Sequence, residues 1–332
     1  MKIGFPRLRP PSFWTTPQVG LPSRLLSPLS NVTAGVSAWR ASRMTTAHVD
    51  VPVICCGNLT MGGAGKTTLA LDLVRLLTAQ GYRPHVLSRG YRGSARGPLR
   101  VEPGYHSAAT VGDEPLLLAR VAPTWIGRDR GETARLAVAM GADCLVMDDG
   151  LQNLTLHQDL RIVTIDGATG FGNGKLFPAG PLRQLPRQGL AAAGAAVVIG
   201  PDRTGVTAQI PGGLPLFHAR LIPGPEIRRL QGRRIIAFAG LARPSKFFTT
   251  LIESGVVPLR CLPFPDHHRY TRADCERLAR LRREEGVTLV TTAKDAVRLP
   301  FWLHEQVTVI SVELLWSEPD APYRLLDLLR SA

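Results

Sequence analysis

The chain has 332 residues, 44% hydrophobic and 20% charged, which excludes a disordered or fibrous protein and allows two α/β units. It has no run of about 20 apolar residues, which excludes an obvious membrane-spanning helix. The net charge of +14 favours anionic partners, and five cysteines (Cys55, Cys56, Cys144, Cys261, Cys275) without metal-ligand spacing argue against a disulfide framework and for a reducing compartment.

The first acidic residue is Asp50. Before it stand Lys2, Arg7, Arg9, Arg24, Arg40 and Arg43, together with Phe5, Phe13, Trp14 and Trp39. Between Leu21 and Met44, the residues Leu25, Leu29, Val32, Val36 and Trp39 recur at three- and four-residue steps, which predicts a helix. An apolar face flanked by arginine and free of acids suits a helix lying on an anionic bilayer. The same face also suits packing on a domain core. Pro6, Pro10, Pro11, Pro17 and Pro22 break up any secretory signal. Residues 1–45 therefore form a segment of their own.

Val51–Cys56 reads as a buried strand, Gly57–Gly65 as a glycine-rich turn, and Lys66–Gln80 as a helix with Leu69, Leu73, Leu76 and Leu77 on one face. Pro84–Ser88 is a second strand, which completes the βαβ unit of a parallel sheet. Ala142–Met147, Leu160–Ile165 and Ala195–Ile199 read as further strands of that sheet. Pro and Gly crowd residues 201–224, which reads as a linker. Beyond it, Arg234–Ala239, Thr288–Thr292 and Val307–Val312 read as strands, and Lys246–Ser254, Arg272–Glu285 and Tyr323–Arg330 as helices. The expected fold is a phosphate-loop (P-loop) type three-layer α/β/α domain (46–215), a second, smaller α/β domain (216–332) and the N-terminal helix.

The strongest chemical signal is GNLTMGGAGKTT, Gly57 to Thr68. Glycines between a strand and a helix let backbone N–H groups approach phosphate oxygens, and the helix N-terminus adds its positive dipole end. The nucleotide-binding candidates are Thr60, Met61, Gly62, Gly63, Ala64, Gly65, Lys66, Thr67 and Thr68. Lys66 reaches the β- and γ-phosphates, and the Thr67 hydroxyl suits Mg²⁺. The usual pattern has glycine where this chain has Thr60.

Asp148 and Asp149 follow a buried strand, at the edge where the phosphate loop lies. They suit a Mg²⁺ site, and Asp-Asp-Gly is also ordinary turn chemistry. In VGDEP, Asp113 and Glu114 either cap a helix or offer a carboxylate to take a hydroxyl proton. In FPDHHRY, Asp266, His267 and His268 suit either a surface loop or a site. Arg89, Arg92, Asn173, Lys175, Arg183 and Arg243 are weaker candidates for phosphate or sugar contacts. The alternatives are a nucleotide-hydrolysing switch, although the chain lacks an N-K-x-D guanine-reading block, and a membrane-associated nucleotide binder.

Taken in order, GNLTMGGAGKT, LSRGYRG, GDEPLLLAR, DDGLQN, FGNGKLFPAGPLR, AFAGLARPSKFF, FPDHH and TTAKDAVRL resemble the signature blocks of the tetraacyldisaccharide 4'-kinase (lipid A 4'-kinase) family, from about Pro11 to Leu315. The resemblance implies transfer of the γ-phosphate of ATP, with Mg²⁺, to the 4'-hydroxyl of tetraacyldisaccharide 1-phosphate, giving lipid IVA. It implies a peripheral protein on the cytoplasmic face of the bacterial inner membrane, with two α/β/α domains joined by a β-strand linker and the active site in the cleft between. A monomer that binds no nucleic acid is expected. Matched by motif, Lys66 and Thr67 belong to the phosphate loop and Asp148 and Asp149 to the metal-side acids. Asp113 matches the proposed base and His267 its partner from the other domain. Arg89, Gln152 and Asn173 match residues expected to line the cleft. Many members carry His after the glutamine, where this chain has Asn153.

Overall fold

The computed structural model describes residues 11–15 and 20–330. Lys2, Phe5, Pro6, Arg7, Arg9, Pro10 and Pro17 lie outside the described residues. The strands are β1 (Val53–Gly57), β2 (Pro84–Ser88), β3 (Leu99–Val101), β4 (Thr124–Ile126), β5 (Cys144–Asp148), β6 (Leu160–Asp166) and β7 (Ala195–Ile199). They continue with β8 (Leu216–Pro223), β9 (Ile235–Ala239), β10 (Arg260–Pro263), β11 (Thr288–Thr292), β12 (Val307–Ile310) and β13 (Val312–Trp316). A nine-stranded sheet runs β13-β8-β7-β6-β1-β5-β2-β4-β3, and a four-stranded sheet runs β10-β9-β11-β12. The small sheet is wholly parallel; the large one is parallel except at its edges, where β3 and β13 run antiparallel to their neighbours.

Alternation along β1 shows why the large sheet is sandwiched. Ile54 and Cys56 join one core with Leu69, Leu73 and Leu77 of the helix Lys66–Ala79, whereas Val53 and Cys55 join another with Ala134 and Ala137 of the helix Arg130–Ala139. Successive side chains point to opposite faces, so a strand covered on both sides is apolar throughout. The small sheet repeats the arrangement. Ala237 and Ala239 face Phe247 and Leu251 of the helix Pro244–Glu253, and Ile236 and Phe238 face Cys275 and Leu278 of the helix Arg272–Glu285.

Two expectations change. The segment 201–224, read as a linker, holds β8, which pairs with both β7 and β13. Phe217 and Ala219 are buried while His218 and Arg220 are exposed, a period-two pattern overshadowed by the neighbouring prolines and glycines. The chain also returns to the large sheet at β13, and Ala321, Leu325 and Leu326 pack into the same core as the helix Lys66–Ala79. Residues 216–223 and 312–327, grouped with the smaller unit from sequence, thus hydrogen-bond to or pack on the larger sheet.

The N-terminal helix spans Leu21–Ser42 and docks by its polar side. Ser23 Oγ donates to Ala179 O (2.8 Å), Ser30 Oγ to Leu176 O (2.9 Å) and Thr33 Oγ1 to Phe177 O (2.7 Å). The predicted apolar stripe faces outward: Leu25 is 73% exposed, Val32 61% and Trp39 55%. It does not pack on the core. Among the described residues, no helix is long and apolar enough to cross a membrane.

Candidate active site

Parallel pairing brings the main acids to the phosphate loop. Cys56 of β1 is in register with Asp148 of β5, so the loop after β1 and the acids after β5 leave the same sheet edge. The helix starting at Lys66 is entered through Gly65, whose φ is 83°. A side chain at Gly65 would be strained in that conformation and would also meet Ile199 Cδ1 at 2.7 Å. The loop is tied down at its start. Thr60 bridges to Leu182, Met61 N–H donates to Pro181 O (2.6 Å), and Arg183 N–H donates to Leu59 O (2.8 Å). Thr60 thus serves where glycine is usual. Met61, Gly62 and Gly63 are exposed, Ala64 is buried, and Thr68 is half-buried on the helix.

The charged groups converge. Lys66 Nζ donates to Asn58 Oδ1 (2.9 Å) and lies 3.4 Å from Asp149 Oδ1. Arg183 Nη1 donates to the same Asp149 oxygen (2.8 Å), and Thr67 Oγ1 donates to Asp148 Oδ2 (3.1 Å). Gln152 Nε2 donates to Asn58 O (3.1 Å). Burial, with the charges of Glu114 and Asp149, pushes the Asp148 carboxyl up to about 7. Burial acts the same way on Asp149, but Lys66 and Arg183 outweigh it and hold that carboxyl below its ordinary range. Asp148 Oδ1 is buried without a hydrogen-bond partner among the described residues. An orphaned, reluctantly charged oxygen beside a hydroxyl fits a hard cation bound by oxygen. Among the described residues, no three His, Cys, Asp or Glu side chains converge on one point. Mg²⁺ typically takes one or two carboxylates and leaves the remaining positions to water and phosphate, and the Asp148 and Asp149 carboxylates with the Thr67 hydroxyl are donors of that kind.

The opposite side forms where loops of the small sheet meet Asp113 and Glu114 of the large-sheet unit. Asp113 opens the short helix Asp113–Leu118 and is buried. Its Oδ2 lies 2.7 Å from His267 Nδ1, a hydrogen bond across 154 residues of chain. Lys294 Nζ donates to Glu114 Oε1 (2.7 Å), and Arg298 Nε is 3.9 Å from Asp113 Oδ2. Burial would raise the Asp113 carboxyl, but the hydrogen bond and charge of His267, with Arg298 and Lys294, hold it below its ordinary value. Arg92 Nη1 donates to Asp266 O (3.3 Å), and the Tyr91 ring stands edge-on to His267 at 6.1 Å. A second tie joins Arg243 Nη2 to Asp166 Oδ2 (2.6 Å). The non-glycine residues with positive φ among those described are Arg92 (64°), Asp149 (58°) and His267 (53°), and all three stand at this cleft. Such conformations cost on the order of 1 kcal/mol or more each and cluster where geometry matters.

Lys66, Thr67, Asp148, Asp149 and Gln152 therefore form one group and Asp113 and His267 a second, near enough that the charges of Glu114 and Lys294 act on Asp148. Arg89 is exposed and makes no described hydrogen bond or ion pair. Asn173 does not join them. Its buried amide donates to Phe13 O and Ala179 O and accepts Lys175 N–H, fastening the N-terminal segment to the 171–183 loop. Asn153 Oδ1 accepts from Thr155 N–H (3.1 Å), a local turn. Sequence reasoning passed over Asn58, Lys294 and Arg298. The first lies in GNLT and the other two in TTAKDAVRL, but neither block signals that its side chains meet residues so distant in sequence.

A family model described as Tetraacyldisaccharide-1-P 4'-kinase matches residues 22–330. The chain is 58% identical over 324 residues to the tetraacyldisaccharide 4'-kinase of Gluconobacter oxydans, covering 98% of this chain and 99% of that protein. It is 53% identical over 318 residues to the enzyme of the same name from Gluconacetobacter diazotrophicus, covering 96% and 97%. A crystal structure of LpxK from Aquifex aeolicus in complex with ATP superposes with a TM-score of 0.73 at 26% identity, over 92% of this chain and 99% of that one.

Proposed function

The chain belongs to the tetraacyldisaccharide 4'-kinase family, and from that premise we propose that it transfers the γ-phosphoryl group of ATP to the 4'-hydroxyl of tetraacyldisaccharide 1-phosphate, giving lipid IVA in lipid A biosynthesis. The observation that carries this reading is the facing of two sheet edges. One presents the phosphate loop with Lys66; the other presents His267, 2.7 Å from Asp113.

Phosphoryl transfer depends chiefly on positioning and charge neutralisation. Lys66, now held by Asn58 and Asp149, turns to the β- and γ-phosphates when nucleotide enters. Arg183 offsets further charge. Thr67, Asp148 and Asp149 would hold Mg²⁺, which would supply Lewis-acid neutralisation of the phosphate oxygens. Asp113, kept ionised by its neighbours, accepts the proton of the 4'-hydroxyl, and His267 fixes its orientation. Gln152 supports the nucleotide side through Asn58. Arg89 stands exposed, available to an anionic acceptor.

Residues 1–45 bind an anionic membrane surface, the helix Leu21–Ser42 through its outward apolar stripe, and the sequence supplies arginines and no acids there. The protein works as a monomer on the cytoplasmic face of the inner membrane, without nucleic acid. The small-sheet unit is inserted between β8 and β13 of the large sheet. The test is an assay with γ-labelled ATP and the disaccharide 1-phosphate. Label in a lipid product that is phosphatase-sensitive at the 4'-position supports the reading. Phosphate released at the same rate without acceptor would replace it with a hydrolysing switch.

A further inference from the structure

Behind the loop that carries His267 lies a buried acid–arginine pair. Asp295 is 0% exposed and the Arg298 side chain 5%. Arg298 reaches three carbonyls with one guanidinium. Its Nε donates to Lys294 O (3.0 Å), its Nη1 to His268 O (3.3 Å) and its Nη2 to Gly240 O (3.1 Å). These carbonyls belong to the connections after β11, β10 and β9, which leave one edge of the small sheet. The Gly240 carbonyl also accepts the His267 backbone N–H (3.0 Å). Asp295 completes the frame. Its Oδ1 accepts from Arg298 Nη2 (2.7 Å), Gly240 N–H (2.8 Å) and the Tyr270 hydroxyl (2.6 Å), and its Oδ2 accepts from the Thr292 hydroxyl (2.6 Å).

His267 is thus bounded on both sides by groups that this pair holds: the carbonyl its own N–H bonds to, and the carbonyl of the next residue. Its φ of 53° is a left-handed conformation uncommon among non-glycine residues, though histidine adopts it more readily than most, and the surroundings help to hold it. A planar guanidinium with several donors in fixed directions can impose it, whereas a lysine ammonium cannot span three carbonyls in one plane. We propose that Asp295 and Arg298 are positioning residues for the transfer reaction, holding the Gly240 and His268 carbonyls so that His267 is presented to Asp113. The inference rests on the roles assigned above to Asp113 and His267.

The experiment is a double-mutant cycle on the full chain with ATP and the disaccharide acceptor. Arg298→Lys and Asp295→Asn are each made in the native sequence and in His267→Ala. In the native background each lowers kcat by about tenfold or more, with the ATP Kd within about twofold of the unsubstituted chain, because the nucleotide side is untouched. In the His267→Ala background Asp295→Asn changes kcat by less than about twofold, and Arg298→Lys, whose cation also lies 3.9 Å from Asp113, by clearly less than in the native background. Equal losses in both backgrounds, or no loss in either, would overturn the proposal. If the buried variants do not fold, Tyr270→Phe removes one donor to Asp295 and leaves the ring that packs on Phe238 and Phe264. It should lower kcat a few-fold only where His267 is present; a loss without His267, or none with it, overturns the proposal. A His267→Ala chain with unchanged turnover overturns the assigned roles themselves, and this inference with them.

Discussion

The two walls of the cleft are built differently. On the large-sheet wall, Asn58, Lys66 and Thr67 lie within one sequence block, and Asp148 and Asp149 arrive through a single strand pairing. On the small-sheet wall, every group that meets Asp113 or Glu114 comes from the far end of the chain: His267, Lys294 and Arg298. The first wall lies wholly within the large-sheet unit, on the neighbouring strands β1 and β5. The second exists only when two units close on each other. If the first wall binds nucleotide and the second completes the reaction, as proposed, the nucleotide side belongs to one unit and the acceptor side depends on contact between units, so closure would exclude water before transfer.

Substitution on each wall should break different quantities. Lys66→Ala should have the largest effect, lowering kcat on the order of 10³-fold and weakening ATP binding, as expected for a preorganised cation at developing charge. Steady-state kinetics with an ATP titration checks both. Asp113→Ala should lower kcat on the order of 10²-fold, the usual contribution of a positioned base, while the ATP Kd stays within about twofold. Turnover near normal would remove Asp113 from the mechanism, and a parallel loss of ATP affinity would erase the distinction between the walls.

Leu29→Glu tests whether the large-sheet unit also anchors the protein. Leu29 is exposed on the outward stripe. Losing one leucine from an apolar contact is worth about 1.5–3 kcal/mol, so partitioning onto vesicles with anionic lipid should drop about tenfold or more, with ATP affinity unchanged. Sedimentation with vesicles measures it.

Asp148→Asn should change stability in the opposite direction, as a gain. The folded carboxyl is raised to about 7 from an unfolded 3.8, so the folded chain binds the extra proton between these values and loses stability as pH rises through them. A neutral amide removes that loss. At pH 8 without Mg²⁺ the variant should be more stable by on the order of 1–3 kcal/mol, read as a higher Tm, while its Mg²⁺-dependent turnover falls. At pH 4 the difference in Tm should vanish.

The same contrast explains what could be read from sequence. The glycine-rich loop, the strand before it and the helix after it are local patterns, and each lies where periodicity and turn chemistry put it. Asp148 and Asp149 follow from a buried strand ending in acids. The meeting of Asp113 with His267 has no local signature; only the family blocks brought the two together, because a contact across 154 residues is fixed by topology. β8 was hidden by its proline- and glycine-rich surroundings, and the crossing back to the large sheet at β13 by the absence of any local sign of which sheet a strand joins. Asn173 shows the converse. Its block resembles the family's, yet its amide is spent on Phe13, Ala179 and Lys175. A shared motif can therefore preserve an anchor as readily as a contact to substrate.

The helix Leu21–Ser42 is fastened by hydroxyls to the backbone of residues 176–179 and turns its leucines outward. An enzyme held on a lipid sheet in this way meets its acceptor in two dimensions. Turnover would then follow the mole fraction of acceptor among the surrounding lipids rather than its amount per volume. Adding inert phospholipid at constant total acceptor should slow the reaction by surface dilution, and the dependence should weaken when Leu25, Leu29 and Val32 are replaced with polar residues.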